Sequence, residues 1–247
     1  MNSGQRHMVE LCRRDRDFLL SGFCKLRKLD ERIIPALVID EIIQDILELD
    51  LVKESLSPDM LGFSNYEQRL VRINDNVDFS SCPNANREGI ENFTKAHEIG
   101  HWRVFSHEKE IRAELGEGQK CLPLFEDKPP VMIVCRTPWS HHGKTANKNH
   151  RRREFEADMY ARVFLVPEQQ LYEIAYVKEL SRLGMTGGCV SKKVIWRLIY
   201  LIAEHFHVSP TMMMNTLRDL GIVYVSEGRV LLSPQQNLDS IKSVQEV

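Results

Sequence analysis

The stretch Thr94-Lys95-Ala96-His97-Glu98-Ile99-Gly100-His101-Trp102 contains the pattern HExxH, and the interpretation of the whole chain starts from it. Residues four apart lie on the same face of a helix, so His97 and His101 can hold one metal ion. Glu98 is then close enough to take a proton from a water molecule whose pKa the metal lowers. This layout is typical of a zinc hydrolase in which Glu98 is the general base.

A zinc site of this kind needs a third ligand, and His107 is the first candidate. It lies ten residues after His97, as in the pattern HExxHxxGxxH, but position 104 is valine instead of glycine. A β-branched residue does not favour the left-handed turn that would bring the chain back to the metal. The sequence therefore predicts that the helix continues through Val104 and that His107 lies near its C-terminus.

The segment Glu154-Phe155-Glu156-Ala157-Asp158 supplies the better candidate, on a predicted amphipathic helix. Glu154 and Asp158 are four apart and share a face, whereas Glu156 points away from it. Glu154 is therefore the predicted third ligand, and Asp158 the acceptor for the free N–H of a ligand histidine. Ala157 would let the two helices approach closely. A solvated acidic face on an amphipathic helix is the alternative interpretation of the same residues.

The two motifs together resemble those of the ImmA/IrrE-type zinc peptidases. Residues 93–101 are similar to the family pattern FTxAHExGH, and residues 154–167 to its ExxAN-x-FAxxLLxP. Asp158 stands where the family has asparagine, and the segment between the motifs is longer than usual. The resemblance implies a zincin-like fold and a regulatory protease that cuts a helix-turn-helix repressor.

The predicted elements divide the chain into four parts and give an α+β fold. Residues 1–29 form a helical N-terminal extension, and residues 30–184 form the zincin-like metallopeptidase core. Residues 185–232 form a winged-helix-like C-terminal appendage, a helix-turn-helix followed by a hairpin, and residues 233–247 form a polar tail.

Within the core, the hydrophobic pattern predicts one helix and three strands before the metal helix. The helix covers 31–49, the strands lie near 51–52, 61–64 and 70–73, and the metal helix starts near Arg87. Either of the last two strands could hold a substrate backbone as an added strand, or both could be ordinary sheet strands.

Residues 116–150 contain glycines and prolines that indicate loops, with a possible strand at 131–135. We expect a polar surface loop that covers the cleft. The alternative is a second, structural zinc site, although the spacing of its candidate ligands fits no familiar pattern. Those candidates are Cys121, Cys135, His141, His142 and His150.

The C-terminal appendage has the order of elements of a winged helix, which suggests DNA binding. Its would-be recognition helix starts at Ser209-Pro210 and carries Met212, Met213 and Met214 but only Arg218 as a basic residue. That is too little positive charge to bind phosphates. We therefore expect the appendage to grip a protein through its adaptable methionines and not to bind nucleic acid.

Composition and cysteine usage indicate where the protein works. The 247 residues carry a formal net charge of −2, which gives no general attraction to nucleic acid or to membranes. The sequence has no stretch long enough for a membrane span, and its charged N-terminus does not resemble a signal peptide. Six cysteines without CxxC spacing are typical of reduced thiols, so a cytoplasmic location is expected.

The sequence thus predicts a cytosolic zinc-dependent endopeptidase in which His97, His101 and Glu154 bind Zn²⁺. Glu98 would act as base and then as proton donor to the leaving amine. Its expected substrate is a protein, a DNA-binding transcriptional regulator. The alternative is a zinc-dependent sensor or protein-binding module without turnover, and the intact Glu98 favours the enzyme. The oxyanion stabiliser stays open between His107, His141, His142 and Tyr160.

Overall fold

A computed structural model describes residues 3–29, 32–65, 68–80, 86–114, 132–136, 148–185, 190–226 and 229–232. For residues 3, 104–114, 132–136 and 148–151 it describes the backbone alone. The described chain is an α+β structure, mostly helical, with two small sheets. This confirms the predicted α+β class.

The described helices are α1 (Ser3–Arg27), α2 (Ile39–Glu41), α3 (Arg87–Glu114), α4 (Lys148–Leu165), α5 (Glu168–Glu173), α6 (Ala175–Met185), α7 (Lys192–His205) and α8 (Pro210–Asp219). A 3-10 turn at Pro35–Leu37 precedes α2, and a π-helical turn at Ile42–Ile46 follows it. The described strands are β1 (Asp50–Glu54), β2 (Met60–Asn65), β3 (Leu70–Asn74), β4 (Met132–Arg136), β5 (Tyr224–Ser226) and β6 (Arg229–Leu231).

The larger sheet has the order β1-β3-β2-β4. β1 runs parallel to β3, and the two pairings of β2, with β3 and with β4, are antiparallel. The prediction that β2 or β3 holds a substrate as an added strand is wrong, because β3 lies between β1 and β2, and β2 between β3 and β4. The backbone groups on both edges of each strand are already paired within the sheet.

Helices α3 and α4 pack closely because small residues face each other at their crossing. A Cβ atom built on Gly100 would lie 3.0 Å from Cβ of Tyr160 and 3.1 Å from Cα of Ala157. Ala157 is buried at this contact, as the sequence predicted. The close approach lets the side chains beside Gly100 on α3 reach those beside Ala157 on α4.

Helix α1 is part of the same hydrophobic core and lies against α4. Cys12, Leu19 and Phe23 are buried in that core together with Tyr160. Asp15, only 3% exposed, accepts hydrogen bonds from Arg103 of α3, at 3.0 Å from its Nε, and from the Tyr160 hydroxyl at 2.6 Å. One buried carboxylate of α1 therefore ties α3 and α4 together.

The helix predicted over 31–49 is broken in the structure. It is divided at Val38, whose φ of −126° is not helical, and the chain leaves the helical region at Glu48 with φ of 53°. Further along the chain, α5 and α6 are separated at Ile174, which has an extended ψ of 131°. Hydrophobic periodicity indicates which residues are buried, but a single residue outside the helical region does not alter that periodicity.

The C-terminal segment forms the predicted helices and hairpin. The Ser209 hydroxyl accepts from the backbone N–H of Met212, and Pro210 occupies the first turn, so the predicted cap of α8 is confirmed. The chain leaves α8 through Gly221, whose φ of +72° is the left-handed conformation that glycine tolerates. β5 and β6 then pair as an antiparallel hairpin.

The expectation that methionines of α8 grip a partner is wrong for two of the three. Met212 is 5% exposed and Met213 is fully buried in the core, and Met214 packs partly against it. Met212 and Met213 belong to the same hydrophobic core as Ile199 of α7, so they serve packing. Surface recognition by Met212 and Met213 has therefore lost its basis.

Two further observations concern membrane-spanning helices and the cysteines. Among the described helices, none is both long and apolar enough to cross a bilayer. Cys12 and Cys24 are buried, and burial, followed by the negative charge of Asp15, raises the pKa of Cys12 to about 12. A thiol with so high a pKa is chemically inert at neutral pH.

Candidate metal centre

Three side chains from α3 and α4 converge at one point. His97 and His101, one helical turn apart, are 2% and 1% exposed, and their Nε2 atoms lie 2.9 Å from each other. Glu154 of α4 completes the group, with Oε2 3.4 Å from Nε2 of His97 and Oε1 3.4 Å from Nε2 of His101. Within the part of the chain that the structure describes, this is the group of histidine and carboxylate ligand atoms that could hold a metal ion.

The spacing of these atoms fits a tetrahedral zinc ion. With bonds of about 2.0–2.1 Å to nitrogen and oxygen, two ligand atoms of a tetrahedron lie about 3.3–3.4 Å apart. The two Glu154–histidine distances of 3.4 Å already match. The 2.9 Å between the histidines needs a small widening only. Two imidazoles and one carboxylate, with a fourth position open, form the donor set of catalytic zinc sites.

Asp158 orients one of the histidines. Nδ1 of His97 donates to Oδ1 of Asp158 at 2.9 Å, one helical turn beyond Glu154. The contact predicted from sequence is therefore present, and it leaves Nε2 of His97 facing Glu154. The corresponding nitrogen of His101, Nδ1, is buried and has no hydrogen-bond partner among the described residues.

Glu98 is fully buried beside the histidines. Its Oε2 accepts a hydrogen bond from the Ser64 hydroxyl on β2, and its Oε1 has no partner in the described part of the chain. Ser64, itself fully buried, was not singled out from the sequence. A buried serine on a strand facing the metal helix needs a polar partner, and this requirement was the available indication.

The charges in the site are strongly coupled. Burial disfavours the charged form of His97, but hydrogen bonds to Asp158 and Glu154 outweigh it and raise the pKa of His97 to about 10. Burial lowers the pKa of His101. Burial opposes ionisation of Glu154, yet both histidines hold its pKa well below the usual range. The metal-free site thus holds one proton on its histidines, and a cation would displace it.

The general-base candidate has a pKa in the useful range. Burial raises the pKa of Glu98 to about 7, against the opposing effects of the His97 charge and the Ser64 hydrogen bond. A carboxylate with a pKa near neutrality can both take and return a proton at that pH. Burial, the His97 charge and the Ser64 hydrogen bond together therefore make Glu98 suited to proton transfer.

The other predicted candidates are placed elsewhere or lie outside the description. Glu156 accepts from Nε of Arg152 at 2.7 Å, so it faces away from the site as predicted. Helix α3 continues to Glu114, so the backbone does not turn back before His107, whose side chain is not described. The Tyr160 hydroxyl donates a hydrogen bond to Asp15 of α1. The suggestion that Tyr160 stabilises the oxyanion is therefore wrong.

The structure does not describe the side chains of the remaining candidates. These are the oxyanion stabilisers His141 and His142 and the possible second zinc site. The predicted cleft cover and the polar tail also lie outside the described side chains.

Comparisons with known proteins do not identify this chain. No protein-family model matches it, and no curated protein is significantly similar to it in sequence. A solved structure of a Mycobacterium tuberculosis transcriptional regulator is similar over 85% of this chain, with 12% identity and a TM-score of 0.44. This chain spans about half of that one, 51% of its length. The resemblance of the two motifs to the ImmA/IrrE-type peptidases, and the four predicted parts of the chain, therefore stay predictions.

Proposed function

We propose that this protein is a zinc-dependent endopeptidase with a zincin-like core, and that it acts in regulation. The observation that carries the proposal is the convergence of His97, His101 and Glu154 beside the buried carboxylate of Glu98. These four groups have the identities and spacing that metal-assisted hydrolysis of a peptide bond requires.

The residues of the site would have two roles, metal binding and proton transfer. His97, His101 and Glu154 would hold the zinc ion, which supplies Lewis acidity and lowers the pKa of water. Glu98 takes a proton from the attacking water, whose oxygen forms a bond to the carbonyl carbon. Glu98 then returns that proton to the amine nitrogen as the C–N bond breaks. Oε1 of Glu98 is suited to the transfer because the Ser64 hydroxyl engages only Oε2.

An extended substrate would bind at the outer edge of β4. Among the strands that the structure describes, β4 is the outer one next to β2, and β2 carries the Ser64 that contacts Glu98. The other outer strand, β1, is separated from β2 by β3. A peptide that adds to β4 would gain backbone hydrogen bonds at the side of the sheet nearer the candidate metal centre.

The proposed substrate is a DNA-binding transcriptional regulator of the helix-turn-helix type, and the proposed location is the cytoplasm. The motif resemblance supports this part of the proposal. The burial of Met212 and Met213 removes the recognition surface first expected on α8, so selectivity would come from other parts of the chain.

Replacement of Glu98 by glutamine tests the function. We expect Glu98→Gln to keep its zinc and to lose cleavage about 10²–10⁴-fold, the usual contribution of a general base. Glu98→Gln is used to trap partners from cell extract, and each trapped protein is then offered to the native chain. Glu156→Gln, at a partly buried carboxylate of α4 that pairs with Arg152 away from the site, is the matched control and should retain zinc and cleavage.

The outcomes separate the proposed enzyme from the alternative. Cleavage of a trapped protein by the native chain, and not by Glu98→Gln, supports the peptidase. Undiminished cleavage by Glu98→Gln contradicts the role of Glu98. Equal capture of an intact partner by the native chain and by Glu98→Gln, both loaded with zinc, indicates a sensor or binding module without turnover.

A further inference from the structure

Helices α1, α4 and α8, with the start of α5, line a half-open pocket of about 360 Å³. Phe155 and Met159 of α4 line it, each next in sequence to a residue of the candidate metal centre, Glu154 or Asp158. The cavity therefore lies on a neighbouring face of the same helix. Its size is within the lower part of the range of small-molecule sites.

The cavity, called the arginine pocket below, has four guanidinium groups in its lining against two carboxylates. The guanidinium groups belong to Arg13, Arg16, Arg162 and Arg218, and the carboxylates to Glu168 and Asp219. Positive charge therefore prevails among the lining residues.

Two of these arginines share one acid. Nε of Arg162 lies 3.5 Å from Oδ2 of Asp219, and Nη2 of Arg218 lies 3.3 Å from Oδ1 of the same residue. Both distances are longer than those of a strong charge-assisted hydrogen bond, about 2.7–2.9 Å. A single carboxylate held loosely between two guanidinium groups leaves their positive charge incompletely neutralised.

The remaining two arginines are held more firmly. Arg13 forms an ion pair with Glu168, and Arg16, whose side chain is 3% exposed, contacts Asp17 at 2.7 Å and the carbonyl oxygen of Val163 at 3.1 Å. These contacts fix two guanidinium groups in the wall before any ligand arrives. Side chains that are fixed before binding lose less conformational entropy when a ligand binds.

The rest of the lining is mainly apolar, apart from Gln5 and Thr216. It includes Val9, Met159, Val163, Val166 and Leu220, of which Met159 and Val166 are buried. A ligand that fills the pocket would place one end against the arginines and its body against these side chains. An inorganic anion would leave the apolar surface exposed to water.

We propose that the arginine pocket binds a small amphipathic molecule that carries a carboxylate or phosphate group on a short hydrocarbon or aromatic body. The guanidinium fork matches both anions with two parallel hydrogen bonds. Arg162 and Arg218 bind the anionic group, and Met159, Val163 and Leu220 contact the body. This site does not depend on the proposed peptidase activity.

Calorimetric titration of the full chain tests the proposal, with octanoate and hexyl phosphate as probes. Octanol, which has the same body without the charge, and acetate, which has the charge without the body, are the matched controls. We expect saturable binding of one molecule per chain for at least one probe, at least tenfold tighter than for octanol and acetate. Binding should weaken as salt screens the charge.

Variants locate the binding. Arg218→Gln is the main one because this side chain is 46% exposed, so its loss should leave the fold intact, as circular dichroism can verify. Arg218→Gln and Arg162→Gln should each lower the affinity for the tighter-binding probe at least tenfold. Arg182→Gln, an exposed arginine of α6 that pairs with Glu179, should bind normally. Binding of neither probe, equal binding of octanol, or unchanged affinity in both pocket variants overturns the proposal.

Discussion

The helix pair α3–α4 and the helix pair α7–α8 bury opposite kinds of side chain. Between α3 and α4 lie two histidines and a carboxylate, His97, His101 and Glu98, each at most 2% exposed. The buried residues of α7 and α8 are mainly apolar, among them Ile199, Met213 and Leu217, and the hydroxyl of the buried Thr216 donates to the carbonyl oxygen of Met212. Burying polar groups is unfavourable unless something satisfies them, whereas burying apolar groups stabilises the fold by itself.

This difference indicates where function is to be sought. The α3–α4 interface contains a buried carboxylate oxygen of Glu98 and a buried nitrogen of His101 without partners in the described chain. Burying these groups costs stability, and an ion held by Nε2 of His97, Nε2 of His101 and the Glu154 carboxylate would offset part of that cost. The buried methionines of α8 are apolar, so their burial needs no ligand.

The largest expected effect is the loss of metal from Glu154→Ala. Removing a ligand should lower zinc affinity more than about a hundredfold, the upper end for residues that only orient a ligand. Glu156→Ala, two residues away on another face, should bind as the native chain does. Equilibrium titration against a zinc-binding dye measures both, and equal affinity in the two variants would remove the distinction between the two helix faces.

The next largest effect is expected in the α7–α8 helix pair. Met213→Ser should lower the free energy of unfolding by about 2–5 kcal/mol, the usual cost of truncating a buried methionine. Met185→Ser is the control, because Met185 is 85% exposed and should change little. Chemical denaturation measures both. A native-like stability for Met213→Ser would mean that α8 does not depend on its methionines for packing.

The third effect is a pH dependence of the metal-free chain. Because the folded pKa of Glu98, about 7, lies above the unfolded value of 4.5, its neutral form is favoured in the fold. Native stability should therefore fall as pH rises from 4.5 to 7, by at most about 3 kcal/mol, and Glu98→Gln should lack this loss.

The measurement is the difference in unfolding free energy between the two metal-free chains at several pH values. His97, with a folded pKa of about 10 that the Glu98 charge helps to raise, contributes stability that is lost only as pH rises from 6.5 towards that value, at the upper end of the range compared. The advantage of Glu98→Gln should therefore grow between pH 4.5 and 7. A constant difference would show that Glu98 ionises normally.

The smallest effect is that of Asp158. Asp158→Ala should lower zinc affinity about 10–100-fold, because His97 loses the acceptor that fixes its ring. Asp158→Asn keeps an acceptor oxygen and should lose less. An affinity loss as large as that of Glu154→Ala would mean that Asp158 binds the metal directly.

The two helix pairs also show what the sequence could and could not predict. His97, His101, Glu154 and Asp158 could be placed together because fixed spacings on a helix determine a shared face. Ser64 was missed because it approaches Glu98 from a strand 34 residues away, and spacing carries no information about such contacts.

The errors have the same physical origin. The sequence placed Met212 and Met213 on a helix but could not tell whether their side chains meet solvent or the core. The edges of β2 and β3 seemed open because a strand pattern does not specify its neighbours, and β4, 58 residues after β3 in the chain, pairs with β2. Contacts between distant segments, not local patterns, determined these outcomes.

X-ray absorption at the zinc edge of the purified native chain tests the proposed zinc site. We expect one zinc per chain, bound by two imidazole nitrogens and by oxygen at about 2.0–2.2 Å. Glu154→Ala should lose this spectrum. A third imidazole in the native spectrum, or sulfur at about 2.3 Å, would contradict the assignment of His97, His101 and Glu154 as the ligands.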